Sequence, residues 1–438
     1  MNTKKLMAGL LTSSLLLSMT TGCAKKKTED SKISRNNNEM ETAVRPAEQT
    51  AIFELMNAGS GNYTEEQKEE LKKEYSKFIF GVLNRCLKAA QGKNVMISSD
   101  SILFALEMAA AGANGETLDQ MLMTMIPGAS NEEAFRFAVD RMKHLQSEEL
   151  SVANSAWVNQ VLDGVVYDDY LNYVKNNFDA EVQMVPFDDK LVDTINGWVC
   201  EKTDGMIKQL IDHVNPDAMM FLINAITFDA KWAEPFEESS VKPGEFTLSD
   251  GTKQEVTFLH GKSDALYLHN DKAQGIAKSY EGGKYAFITI LPDDEKADIN
   301  DFMADFTPDE YWEFWDSRSE QGDYTLIYKF PEFESEYTTS LKDALKDMGM
   351  PLAFDMDHAD FSNMSPARLY IYNVIHKTYI SVTPSGTRAA AVTMVEMDGL
   401  TAMLEEEYRY VMCDRPFAYA IVDTETGLPV FLGTVETV

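Results

Sequence analysis

The strongest constraint on this chain is continuity: from about residue 66 to residue 438 no Pro/Gly-rich linker interrupts a succession of apolar segments. Glu66 to Ala90 carries Leu71, Tyr75, Phe78, Ile79, Val82, Leu83 and Leu87 at helical spacing. Asn94 to Ser98 is a short apolar strand, and Ser101 to Ala111 is helical until Gly112-Ala113 and Asn114-Gly115 end it. Met219 to Phe228 is an apolar run of strand length, and alternation recurs at Gln254–Leu259, Tyr285–Leu291 and Tyr324–Phe330. Tyr408–Met412, Ala418–Val422 and Val430–Val435 read as further strands, with Gly427-Leu428-Pro429 as a turn. Helices concentrated early, strands concentrated late and no internal repeat predict one α+β domain over residues 66–438, built on large sheets.

The composition suits such a body, with 44% apolar and 11% aromatic residues to fill a core. A formal net charge of −32 argues against nucleic acid or anionic lipid as the partner of the folded part. Cys23, Cys86, Cys200 and Cys413 lie far apart, without metal-ligand spacing. With Cys23 modified an odd number remains, so no disulfide framework is expected and the three read as small buried hydrophobes. The six histidines show no i, i+4 pairing, and Asp355, Asp357, His358 and Asp360 read as a solvated turn, so neither metal nor cofactor is expected. No G-x-S-x-G elbow, H-E-x-x-H or P-loop is present, which points away from an enzyme.

The first residues form an export signal. Lys4 and Lys5 precede an apolar stretch, Leu6 to Met19, too short to span a bilayer as a mature helix. Thr20-Thr21-Gly22-Cys23 resembles the bacterial lipoprotein box, with Thr20 in place of its usual Leu. Residues 1–22 are therefore expected to be removed and Cys23 acylated, the lipid being the sole membrane contact. The chain is expected to be anchored to the bacterial envelope, at the cell surface or the periplasmic face, or else secreted after a plain signal cleavage. Residues 23–65 are polar and turn-rich, and a flexible linker of this length spans about 35 Å.

Within the folded region, a set of motifs resembles the serpin family. Asn94-Val95-Met96-Ile97-Ser98-Ser99-Asp100-Ser101-Ile102, Ala105-Leu106, Gly112-Ala113 and Thr117 are similar to its first strand and helix. Trp198 with Lys202-Thr203-Asp204-Gly205-Met206-Ile207, then Asn224-Ala225-Ile226-Thr227-Phe228 with Trp232, Pro235 and Phe236, match its central segments. Phe354-Asp355, Ala359-Asp360-Phe361-Ser362, His376-Lys377, Gly386-Thr387-Arg388-Ala389-Ala390-Ala391, Asp414-Arg415-Pro416-Phe417 and Phe431-Leu432-Gly433 follow in order. The resemblance implies about nine helices around three β-sheets, with an exposed reactive-centre loop at about 384–407. It also implies a metastable monomer that acts on proteases. Ser98, Ser101, Asn224 and His376 match the cluster controlling sheet opening, with His376 expected to hydrogen-bond near Asn224, and Trp232 matches the point where the loop first inserts. Two departures stand out: Ser99 replaces a usual Pro, and Pro384 replaces a usual Glu whose salt bridge steadies the opening point.

Many serpins do not inhibit, so the loop must be read for itself. Side chains of a strand alternate between faces. Thr387, Ala389, Ala391, Thr393, Val395 and Met397 form an uncharged set, while Arg388, Ala390, Val392, Met394, Glu396 and Asp398 hold every charge. A one-residue slip would bury three charges, each costing several kcal/mol unpaired. Such sorting fits a loop (hinge residues Gly386, Thr387, Ala389, Ala390, Ala391 and Thr393) that inserts as a central strand after cleavage. Fourteen residues beyond Gly386 the family's pattern places the cleaved bond at Leu400–Thr401, with Met397, Met403 and Leu404 as secondary bait. Leu400 favours chymotrypsin-, elastase- or subtilisin-like serine proteases, or papain-like cysteine proteases. A non-inhibitory carrier lipoprotein is the other reading, kept open by Pro384.

Overall fold

The computed structural model describes residues 63–90, 92–215, 218–319, 322–387 and 407–438. The signal segment, Cys23, the linker as far as residue 62 and the loop residues Ala389, Ala390, Ala391, Thr393, Leu400 and Thr401 lie outside the described residues. The first described helix begins at Glu65, inside the expected linker.

Helix α1 (Glu65–Ala90) buries the stripe from Leu71 to Leu87 that its spacing predicts. Strand β1 (Val95–Ser98) runs directly into α2 (Ser99–Ala110), where the Ser98 hydroxyl caps the helix by accepting from the Ser101 amide at 3.4 Å. Helices α3 (Gly115–Met125) and α4 (Asn131–Leu145) follow, the latter opened by a Ser130/Glu133 capping box. Then come β2 (Leu150–Asn159), α5 (Asp168–Phe178), β3 (Glu181–Val185), α6 (Lys190–Lys202), β4 (Met220–Phe228) and β5 (Ala230–Lys231). The middle of the chain gives β6 (Val241–Thr247), β7 (Lys253–Lys262), β8 (Leu266–His269), β9 (Ala273–Ser279) and β10 (Tyr285–Pro292). After α7 (Ile299–Asp305) and α8 (Pro308–Asp316) come β11 (Tyr324–Pro331), β12 (Phe333–Ser340), α9 (Lys342–Met348) and β13 (Ile375–Thr383). The two-residue β14 (Gly386–Thr387), then β15 (Glu407–Met412), β16 (Phe417–Asp423) and β17 (Pro429–Val435), complete the set.

The strands form ladders in the orders β1-β17-β16-β10-β9-β8, β15-β11-β7-β6, β12-β13-β14-β5 and β3-β2-β4. Every residue of β10, β16 and β17 is buried, which is why these segments read as continuous apolar runs. The nine helices expected are the nine present among the described residues, but the three expected sheets are four ladders. The extra one arises because β4 and β13 are neighbours that share no ladder. Chain continuity through β5, and its pairing with β14, join the two parts at one end only, so β3-β2-β4 and β13-β12 are halves of one divided main sheet.

One ion network is fully buried. The Arg141 guanidinium of α4 binds both Asp100 oxygens (2.9 and 3.0 Å) and Asp423 at 2.6 Å, tying α2, α4 and the end of β16 together. Cys86 and Cys413 are buried free thiols, as expected. Cys200 is buried as well. The Asp355 carboxylate accepts from the amides of Asp357 (2.8 Å) and His358 (3.1 Å), the bonding of a turn.

Candidate functional site

The division of the main sheet ends at a hinge. After β13 the chain turns at Pro384-Ser385 and comes back antiparallel as β14, with Thr387 opposite Val382 and Gly386 opposite Thr383. On its other side β14 pairs with β5, Gly386 opposite Lys231 and Thr387 opposite Ala230. Two residues thus already occupy the position of a central strand. Only glycine fits the first: Gly386 has φ +155°, and a Cβ there would lie 2.2 Å from the Ala230 carbonyl oxygen.

Thr387 is fully buried, and its hydroxyl meets that of Tyr280 at 2.6 Å. Trp232 seals the other side of the turn. Its indole N–H donates to the Thr383 carbonyl (3.0 Å) and its backbone N–H to Ser385 (3.1 Å), while its ring stacks on Tyr280 at 4.5 Å. The Pro384 carbonyl accepts from the Phe236 amide at 2.9 Å, so the residue that replaces the family's Glu is held through the backbone. Beneath Phe236, the Lys278 ammonium lies 4.7 Å from the ring centre and is paired with Asp264.

Below the hinge a cleft of about 530 Å³ separates β4 from β13. Leu222 and Asn224 line one wall, Ile375 and His376 the other, and Ile102 and Leu106 of α2 lie along it. Ser101, Asn224 and His376 line this cleft, and Ser98 is tied to it through His376. His376 Nε2 accepts from the Ser98 backbone N–H at 3.0 Å, which puts the ring proton on Nδ1; complete burial pushes its pKa down to about 4. The Asn224 amide donates instead to Asn154 Oδ1 (2.7 Å), and Asn154 in turn donates to the Phe178 carbonyl. His376 and Asn224 thus face one another across the cleft, each bonded on its own side. Asn224 Oδ1 is buried without a hydrogen-bond partner. The hydroxyl of Ser99, where the family has Pro, donates to the Pro429 carbonyl at 2.7 Å.

The Serpin (serine protease inhibitor) family description matches residues 73–438. The chain belongs to the serpin family. It is 31% identical over 354 residues to an uncharacterised serpin-like protein of Thermococcus kodakarensis, covering 79% of this chain and 81% of that one. The thermophilic serpin tengpin in its native state superposes with TM-score 0.76 at 33% identity, over 87% of this serpin and 96% of tengpin. Thyroxine-binding globulin, in complex with thyroxine, shares the fold at 22% identity with TM-score 0.71, over 84% and 98% of the two chains. Serpins are in general protease inhibitors rather than enzymes.

Sequence reasoning missed Asn154 and Tyr280. Asn154 carries a signal, since it is a lone amide in the run Val152 to Trp157. Tyr280 carries none, because only the tertiary fold brings it to Thr387 across 107 residues.

Proposed function

We propose that this serpin is a suicide-substrate inhibitor of serine, and in the second place cysteine, endopeptidases. The observation that carries the reading is the hinge: Gly386–Thr387 is paired on both sides while β4 and β13 beyond it share no ladder and line a cleft. Continuing both ladders in register sets Ala389 between Phe228 and Ile380, Ala391 between Ile226 and Thr378, and Thr393 between Asn224 and His376. The flanking β13 positions are all buried, as are Ile226 and Phe228, so the uncharged alternate set is the one that enters the core. The other set places Arg388 beside Asp229, and Val392 and Met394 beside Ala225 and Ile223, which face the apolar cover formed by α6. Thr393 would then bring a hydroxyl to the buried Asn224 oxygen that now has no partner.

Gly386 to Leu400 spans about 50 Å when extended. A dozen or more new ladder bonds at roughly 1 kcal/mol each give on the order of 10 kcal/mol, comparable to a protease's folding stability. Distortion of the triad and oxyanion hole would strand the acyl-enzyme. The bait bond is proposed as Leu400–Thr401, and Cys23 as a lipid anchor on an exported protein.

The test is incubation of the protein with chymotrypsin, pancreatic and neutrophil elastase, subtilisin and papain, followed by denaturing gels and mass analysis. A covalent complex that survives denaturant, with cleavage after Leu400, is expected. Loop cleavage without complex across the whole panel overturns inhibition and leaves a carrier role, as for the thyroxine-bound relative of the same fold.

A further inference from the structure

The strand that follows the loop carries a feature that insertion does not use. Within its ladder β15 pairs only with β11, in parallel, and so forms the edge of β15-β11-β7-β6. Tyr408 and Tyr410, two residues apart and hence on one face, are 42% and 53% exposed, among the most exposed large hydrophobics of the described residues. Their rings stack at 6.1 Å with an interplanar angle of 22°. Between them Arg409 turns to Tyr324, 5.9 Å from the ring centre, and is ion-paired with Glu407. The result is an exposed, stacked aromatic pair on a strand edge, with Glu407 and Arg409 alternating to the other face. Aromatic side chains of this kind dominate protein interfaces because they cover large area at small entropic cost.

We propose that the Tyr408–Tyr410 face is a second contact surface for the target protease, outside the bait bond; the inference rests on the inhibitor reading above. The length of the intervening chain argues for this occupant. From Leu400 to Glu407 the chain spans at most about 24 Å. A protease domain of roughly 220 residues has a radius of gyration of about 17 Å and is about 45 Å across. A protease holding Leu400–Thr401 in its cleft is therefore tethered by less than its own width, and its rim comes down on β15. The sequence just before the tyrosines, Glu405-Glu406-Glu407, is acidic, so a protease whose rim on the leaving-group side is basic is favoured.

The experiment uses the full chain with chymotrypsin, pancreatic elastase and subtilisin. It compares wild type, the double variant Tyr408→Ala/Tyr410→Ala and the double variant Tyr408→Phe/Tyr410→Phe. The Ala pair is expected to lower the second-order rate of complex formation about tenfold with at least one protease, leaving stoichiometry and melting temperature unchanged, and the Phe pair to restore the rate. Should wild type be cleaved without forming complex, the inhibitor reading fails but the surface is still read, as the same slowing of loop cleavage. Rates within twofold of wild type for every protease, or slowing that the Phe pair does not rescue, overturn the proposal. So does a wild-type dimer, seen by sedimentation, that the Ala pair disperses without any change in rate, because that assigns the face to self-association.

Discussion

Two buried titratable residues pull stability in opposite directions with pH. Glu107 of α2 is buried with neither carboxylate oxygen hydrogen-bonded, and burial pushes its pKa well above the ordinary range. The unfolded chain ionises this group near pH 4.5 while the folded chain retains its proton, so stability falls as pH rises through that window. Glu107→Gln has no proton to take up on folding, so it is expected to stabilise the protein at pH 7–8 relative to pH 4, by about 1.4 kcal/mol for each unit by which the folded pKa is raised. It should change little at pH 4; denaturant midpoints at the two pH values check this. His376 has the opposite sign. Its pKa falls from 6.5 unfolded to about 4 folded, so its contribution is whole above pH 6.5 and is lost as pH drops towards 4. That is worth about 3–4 kcal/mol at most, at about 1.4 kcal/mol per unit. His376→Gln should flatten the fall in stability between pH 6.5 and 4 relative to wild type, measured by the same midpoints.

At the scale of the element, β14, with β5 one of the two shortest strands among the described residues, is the most sensitive. Its first residue has no room for a side chain, and its second sits against Tyr280. Thr387→Arg would place a charge there at a cost of several kcal/mol, so β14 would leave the sheet and insertion would stall at its first step. The expected outcome is a protease substrate: the loop is cut at a similar rate but the stoichiometry of inhibition rises at least about tenfold. Titration of residual protease activity reads this directly, and unchanged stoichiometry would show that insertion does not begin at Thr387. The same element marks the limit of pattern reading. The runs that became β4, β10, β11, β16 and β17 were legible because burial repeats along them. Strand β12, with Glu334, Glu336 and Thr338 on its exposed side, reads as polar sequence and was not legible.

For the whole molecule, the decisive feature is a main sheet held in two halves. Its outer face over β2 and β4 is covered by α6 through Trp157, Trp198, Ile195 and Ile223. The Asp100–Arg141–Asp423 network fixes the N-terminus of α2 beside the divided sheet. Filling the cleft with a full strand would join the halves into one continuous ladder. Loop-cleaved protein is therefore expected to melt roughly 15 °C or more above intact protein, from on the order of 10 kcal/mol of added ladder bonding. Scanning calorimetry before and after cleavage measures the difference, and equal melting temperatures would mean that the loop stays out.

The sequence by itself determined the α+β class, the single folded region, most strand and helix positions, and the sorting of charge along the loop. Those properties are periodic, and periodicity follows from which face of each element meets the core. The tertiary structure alone decided that β4 and β13 stand apart, that Asn224 turns to Asn154 while His376 turns to Ser98, and that Tyr280 receives Thr387. Each of these joins or separates residues distant in the chain. Such contacts depend on how elements pack, and no local pattern of residue types records that.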